Sequence, residues 1–339
     1  MKTRKLPGFG SLGVEVYDTN LRTISAEEMR ELGLISLNQL LVVVRKESVG
    51  GISLDRFHEI CTSWVADPDS DFAYTRETFG KMLGRYGNER GPDGLPPNID
   101  QIDRQMVEEG YRIVHGIEHL QGMSRVTGKR DDHGNATGMF ADGELEWHCN
   151  NQGAERRAPG VGLLGWEGAT GSRTEFLNTA DAYQALSPEW QKKCDELIAV
   201  HRFLPGAIAP GVSPVQERLL KFTMCPDDDT EIPLVIHSPA GIKGLHFAFT
   251  SIHHFKGMSE SDSQETIRFL KGHIIRDEYV YGHDWMDGDM LLFDNSITLH
   301  RRPTKDCSKR LMYRMAFNYD RLLETRPASS ASDIKTQST

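Results

Sequence analysis

Three stretches of this sequence carry polar side chains whose types and spacing could do chemistry. The first is Gly143-Glu-Leu-Glu-Trp-His148-Cys-Asn150-Asn. On a β-strand, side chains at i and i+2 share a face, so His148 and Asn150 are expected to point one way and Cys149 the other. Glu146 is the acid on that same face, at i−2 from His148. The second stretch, Trp285-Met-Asp-Gly-Asp-Met-Leu-Leu-Phe-Asp294-Asn295-Ser-Ile-Thr-Leu-His300, reads as a turn, an apolar strand, a second turn and a histidine. The third is Arg310-Leu-Met-Tyr-Arg314. If it is extended, Arg310, Met312 and Arg314 share one face, with the arginines about 13 Å apart, and Leu311, Tyr313, Met315 and Phe317 share the other. Two cations turned into a β barrel need anions. A dicarboxylate co-substrate and an acidic substrate would provide them.

The elements that must position these residues are mainly strands. Leu40–Val44 is a β-branched run, Met290–Phe293 follows the turn Asp287-Gly288-Asp289, and Leu311–Tyr319 alternates in polarity. Helix signals are interspersed. Ser25 with Glu28 forms a capping box for a helix that Gly33 can close. Ser53 caps a helix through Phe57, Ile60 and Trp64. Ser187-Pro188 opens another, with Trp190, Cys194, Leu197 and Ile198 on one face, and Glu265–Ile275 repeats the pattern. Asn88–Asn98 and Thr127–Gly138 read as loops. Between them, Ile99–Gly116 is a polar helical excursion from the β core. Strands with helices packed outside predict a mainly β, α+β domain over residues 1–323. Residues 324–339, rich in Ser, Thr and Ala, predict a flexible tail.

Bulk properties exclude several partners. The chain has 339 residues, 38% of them hydrophobic, which suffices for a core. Its formal net charge of −10 argues against a general attraction to nucleic acid. No apolar run approaches the roughly 20 residues of a membrane span. Met1–Pro7 is basic, but no apolar run follows it, so a secretory leader is not expected. Five scattered cysteines without a CxxC pair point to a reducing cytoplasm.

Taken in order, several pieces give a resemblance that extends to about residue 320. They are Phe9-Gly-Ser-Leu-Gly-Val-Glu-Val, Trp147-His148, Gly171-Ser-Arg-Thr174, Ala182-Tyr-Gln-Ala-Leu-Ser-Pro and Gly288-Asp-Met-Leu-Leu-Phe-Asp-Asn…His300…Arg310…Arg314. The chain resembles the taurine dioxygenase and clavaminate synthase-like family of Fe(II)/2-oxoglutarate-dependent oxygenases. The resemblance implies a double-stranded β-helix (jelly-roll) core, Fe(II) as metal, 2-oxoglutarate as co-substrate, and O2. It implies iron ligation by His148, Asn150 and His300. Thr174 and Arg310 would hold the distal carboxylate of 2-oxoglutarate, and Arg314 an acidic group of the substrate. Asp294 and Asn295 match a turn that shapes the barrel. The family's metal motif has Asp or Glu two residues after the first histidine, and here that position is Asn150. An amide oxygen is neutral and a weaker partner for a hard cation than a carboxylate.

The expected activity is oxidation, most often hydroxylation, of a small acidic metabolite or amino acid. Desaturation, cyclisation and halogenation draw on the same chemistry. A second reading keeps the fold but assigns it to binding or regulation, oxidation having been lost with the carboxylate. A third is metal-dependent isomerase or lyase chemistry on a jelly roll. Homo-oligomers are compatible with all three. His201, His237, His246, His253, His254, His273 and His283 read as surface or hydrogen-bonded core residues. Asp227-Asp228-Asp229 lacks the spacing of a calcium loop.

Overall fold

The computed structural model describes residues 1–46, 51–67, 83–114, 122–134, 137–138, 141, 143–154, 157–204, 213–225, 229–304 and 306–324. The chain opens with β1 (Lys2–Lys5), β2 (Val14–Tyr17), α1 (Ala26–Gln39), β3 (Leu41–Val44) and α2 (Leu54–Thr62). After α3 (Gln101–Val114) come β4 (Met123–Thr127), β5 (Leu145–His148), β6 (Gly160–Glu167) and β7 (Arg173–Asn178). The middle carries α4 (Thr179–Gln184), α5 (Pro188–Glu196), β8 (Ile198–His201), α6 (Pro214–Met224), β9 (Thr230–Pro233), β10 (Val235–His237), β11 (Lys243–Leu245) and β12 (Ile252–Phe255). The last part is α7 (Glu260–Ile274), β13 (Val280–Asp284), β14 (Met290–Asp294), β15 (Thr298–Arg302), β16 (Leu311–Phe317) and α8 (Asp320–Glu324).

Two sheets face each other as a double-stranded β-helix. The larger has strand order β1-β2-β3-β14-β6-β16-β4, and the smaller β13-β7-β15-β5. The alternation of side chains along each strand explains the layering. On β14, Leu291 and Phe293 enter the core between the sheets, where Phe293 packs edge-on against Phe176 of β7 at 5.1 Å. Met290 and Leu292 face outward instead, and with Val42, Val44 and Phe317 they are covered by Leu32 of α1, Phe57 of α2 and Trp64 just after α2. Because both faces are buried, β14 and β3 read as continuous apolar runs rather than alternating ones. Behind the smaller sheet, Trp147, Leu177 and Leu299 pack against Tyr183, Leu270 and Ile274 of α4 and α7. Leu145 also meets Met106 of α3 and Leu220 of α6.

Local signals set most element starts. Ser25 and Glu28 form the capping box, worth about 1 kcal/mol, and Ser53 and Ser187 cap α2 and α5. Gly33, however, does not end α1. A Cβ at this position would stand 2.4 Å from Trp64 Nε1, so the glycine admits the indole, and the helix runs on until Leu40 turns left-handed at φ 60°. α7 starts at Glu260 behind its cap Ser259, ahead of the expected Glu265. Leu197 and Ile198 leave the α5 face, because Leu197 is extended and Ile198 begins β8. The excursion is α3 within the described residues, and residues 115–116 lie outside them, as does the tail beyond Glu324. Among the described residues, no helix is long and apolar enough to cross a membrane.

Candidate metal and anion site

β15 lies between β7 and β5, and its register sets His300 directly opposite His148. The two rings, more than 150 residues apart in sequence, have centroids 4.2 Å from each other. A register shift follows, so Arg302 pairs with Leu145 rather than with Glu146. Glu146 is exposed, and its carboxylate accepts from the backbone N–H of Trp147 at 2.8 Å. It therefore does not turn to the histidines. Asn150 departs from the strand expectation in another way. β5 ends at His148, and Asn150 sits in a turn before Asn151, whose φ is 56°. Asn295 holds that turn: its Oδ1 accepts from Asn150 N at 2.8 Å, and its Nδ2 donates to the Asn150 carbonyl at 3.0 Å. Cys149 points the other way, toward His246 Nδ1 at 3.9 Å.

His148, Asn150 and His300 line one cavity with Thr174, Arg310 and Arg314. The space is about 480 Å³, part of it open to solvent, and its walls include Leu163, Phe293 and Met312. Thr174 arrives from β7. Arg310 lies immediately before β16 and Arg314 within it, so the period-two reading of Arg310, Met312 and Arg314 agrees with the cavity lining. Arg302 also lines the cavity and donates through Nε and Nη2 to the Gly143 carbonyl at 3.0 and 2.7 Å. Sequence reading passed over Arg302, although its place at i+2 from His300 was the available signal. It also passed over Trp285, whose Nε1 donates to Thr174 Oγ1 at 2.9 Å.

Burial controls the electrostatics. It pushes the pKa of His148 down to about 4, and Arg302 and Arg314 push the same way against a favourable bond to the Glu146 carbonyl. Burial, then His148 and Arg314, hold His300 well below the ordinary imidazole range. Both rings are thus neutral near pH 7 and carry a lone pair. Because His148 Nδ1 donates to the Glu146 carbonyl at 2.7 Å, its lone pair is on Nε2. Among the described residues, His300 Nδ1 and Asn150 Nδ2 are buried without a hydrogen-bond partner. Burial lowers Arg314 to about 10 and also lowers Arg310, and among the described residues the Nε of each has no partner. No Asp or Glu is among the described residues lining this cavity. Two imidazoles and an amide fit a borderline divalent cation, and the guanidiniums fit anions that would offset their desolvation. Among the described residues no group of three or more His, Cys, Asp or Glu side chains is placed to hold a metal, and the Asn150 amide lines the cavity beside the two imidazoles.

A family model described as taurine catabolism dioxygenase TauD, TfdA family matches residues 70–316. An alkylsulfatase from Acinetobacter baylyi is 35% identical over 138 residues, 39% of this chain and 42% of that protein. An alpha-ketoglutarate-dependent sulfate ester dioxygenase from Pseudomonas putida is 33% identical over 136 residues, 39% of this chain and 45% of that protein. The matches thus span less than half the length of these curated relatives. Among solved structures, a taurine dioxygenase from Burkholderia xenovorans superposes with a TM-score of 0.62 at 17% identity, covering 93% of this chain and 88% of that one. That likeness is one of fold.

Proposed function

This chain belongs to the taurine catabolism dioxygenase TauD, TfdA family, and we propose that it is an Fe(II)/2-oxoglutarate-dependent oxygenase that hydroxylates a small acidic metabolite or amino acid. The observation that carries this reading is one cavity in which two neutral imidazoles face each other beside buried guanidiniums, with no carboxylate among its described lining residues. In the proposal, His148, Asn150 and His300 hold the iron, and Thr174 and Arg310 hold the distal carboxylate of 2-oxoglutarate. Arg314 takes the anionic end of the substrate. Iron with 2-oxoglutarate and O2 supplies the oxidising power, and the co-substrate leaves as succinate and CO2. The chain's own residues bind and orient. His148 presents Nε2 because its Nδ1 is engaged with the Glu146 carbonyl, Asn295 fixes the Asn150 turn, and Leu163, Phe293 and Met312 keep water from the reacting end. We also propose residues 1–323 as one oxygenase domain, since β1–β3 pair into the same sheet as β14. A cytoplasmic setting is consistent with five cysteines that are all free thiols.

Anaerobic addition of Fe(II) and 2-oxoglutarate should raise a weak visible charge-transfer band, which His300→Ala abolishes while leaving the melting temperature near wild type. A folded protein that gives no band would sink the proposal. The neutral Asn150 supports a second reading, a protein that binds metal and 2-oxoglutarate without turnover. Succinate release under O2 separates the two.

A further inference from the structure

Thr174 has a partner that determines what its hydroxyl can do. Trp285 Nε1 donates to Thr174 Oγ1 at 2.9 Å, and the two residues are 1% and 6% exposed. An indole N–H only donates, so the contact occupies a lone pair of the hydroxyl and leaves the hydroxyl proton to be directed elsewhere. Among the described residues that proton has no protein acceptor, and the side chain lines the cavity beside Arg310. The indole itself is immobilised. Its backbone N–H donates to the Ser172 carbonyl at 3.0 Å, and its ring stands edge-on to His283 at 4.6 Å. A Cβ on Gly165 would reach 3.0 Å from Trp285 Cε3, so that glycine lets β6 close over the ring. His283 is the register partner of Thr174 across β13 and β7, which makes strand pairing and indole packing one unit.

We propose that Trp285 is a positioning residue of the co-substrate site, whose indole N–H turns Thr174 into an obligatory donor toward an anion. Given the reading of Thr174 and Arg310 above, on which this rests, that anion is the distal carboxylate of 2-oxoglutarate. Trp285 is not among the cavity's lining residues, so it acts through Thr174.

The test is calorimetric titration of the anaerobic Fe(II) protein with 2-oxoglutarate and, separately, with pyruvate, a 2-oxo acid without a distal carboxylate. Trp285→Phe keeps the aromatic packing and removes the donor. It should weaken 2-oxoglutarate binding about tenfold, the scale of one hydrogen bond to a charged group, and leave pyruvate binding unchanged. Thr174→Val should show the same split, Thr174→Ser should restore 2-oxoglutarate affinity, and Trp285→Phe added to Thr174→Val should cost nothing more. Equal losses for both ligands would reduce Trp285 to packing and overturn the proposal. So would an unchanged Trp285→Phe beside a weakened Thr174→Val. If neither Thr174→Val nor Arg310→Gln weakens 2-oxoglutarate, the assignment of the site itself fails and this proposal with it. Should Trp285→Phe not fold, site-specific replacement by 3-benzothienylalanine, isosteric but lacking the N–H, asks the same question.

Discussion

Two pairs of histidines meet at the stretch from His148 to Gln152, three of the four rings buried and His300 partly so, and they differ in what surrounds them. On one side His148 and His300 stand 4.2 Å apart between their ring centroids. On the other, His201 and His246 stand 5.5 Å apart, reached from the same stretch through Cys149 and the Gln152 carbonyl. Burial keeps both pairs neutral near pH 7. In the second pair, three of the four ring nitrogens lie against protein atoms: Ser251 Oγ at 2.8 Å, the Gln152 carbonyl at 2.9 Å and the Ser296 carbonyl at 3.1 Å. The first pair opens onto a cavity with guanidiniums and an unpartnered ring nitrogen on His300. Proximity of two imidazoles therefore does not make a ligand site. An unpartnered ring nitrogen does not distinguish them either, since among the described residues His201 Nε2 lacks a partner too; what sets the first pair apart is its place on a cavity whose guanidiniums call for anions.

The largest expected effect separates the pairs by metal affinity. His300→Ala should weaken Fe(II) or Mn(II) binding on the order of a thousandfold, because the proposed ligation divides the binding free energy among three protein donors, with little change in stability. His246→Ala should leave metal affinity within a few-fold but cost about 2 kcal/mol of stability, through lost packing and unpaired carbonyls. Comparable metal losses in the two variants would dissolve the distinction.

The second effect is a pH dependence of stability to which both pairs contribute, and the share of His246 can be isolated. His246 is held neutral down to about pH 4, by burial first and Arg157 second, against the carbonyls that favour its charged form. The unfolded imidazole titrates near 6.5. Above 6.5 both states are neutral and the full stability is present. As pH falls through that value only the unfolded chain gains the proton, so stability drops, by about 3 kcal/mol when pH 4 is reached. Urea unfolding between pH 7.5 and 4 should show this slope, and His246→Gln should make it shallower by the share of one imidazole while His148, His201 and His300 keep theirs. A slope identical in wild type and variant would assign the loss to other groups.

The smallest effect sharpens the first pair. If Asn150 donates its amide oxygen, Asn150→Asp adds charge at nearly constant shape and should tighten iron about tenfold, roughly 1.4 kcal/mol. Tighter iron with more succinate would mark a weakened oxygenase. Tighter iron with less succinate would make the neutral donor part of the mechanism. An affinity that does not respond removes Asn150 from the shell.

The reach of the sequence is clearest at particular residues. Ser25 with Glu28, Ser53 and Ser187 announced their helices because capping is a bond between residues three apart. Arg310, Met312 and Arg314 were legible as one face because strand alternation is a local steric rule, and the family resemblance named the two histidines of the site. Tertiary structure decided the rest. Whether Glu146 could join the site depended on a register shift opposite His300, and Asn150 reaches the cavity from a turn held by Asn295, 145 residues away. Gly33 served a tryptophan rather than a helix end, and Thr174 acquired its hydrogen-bond direction from Trp285. The division has one physical reason. Backbone preferences and capping act over a few residues and are written where they act, whereas register, bulges and the direction of a hydroxyl proton are set by partners that only the closed barrel brings into contact.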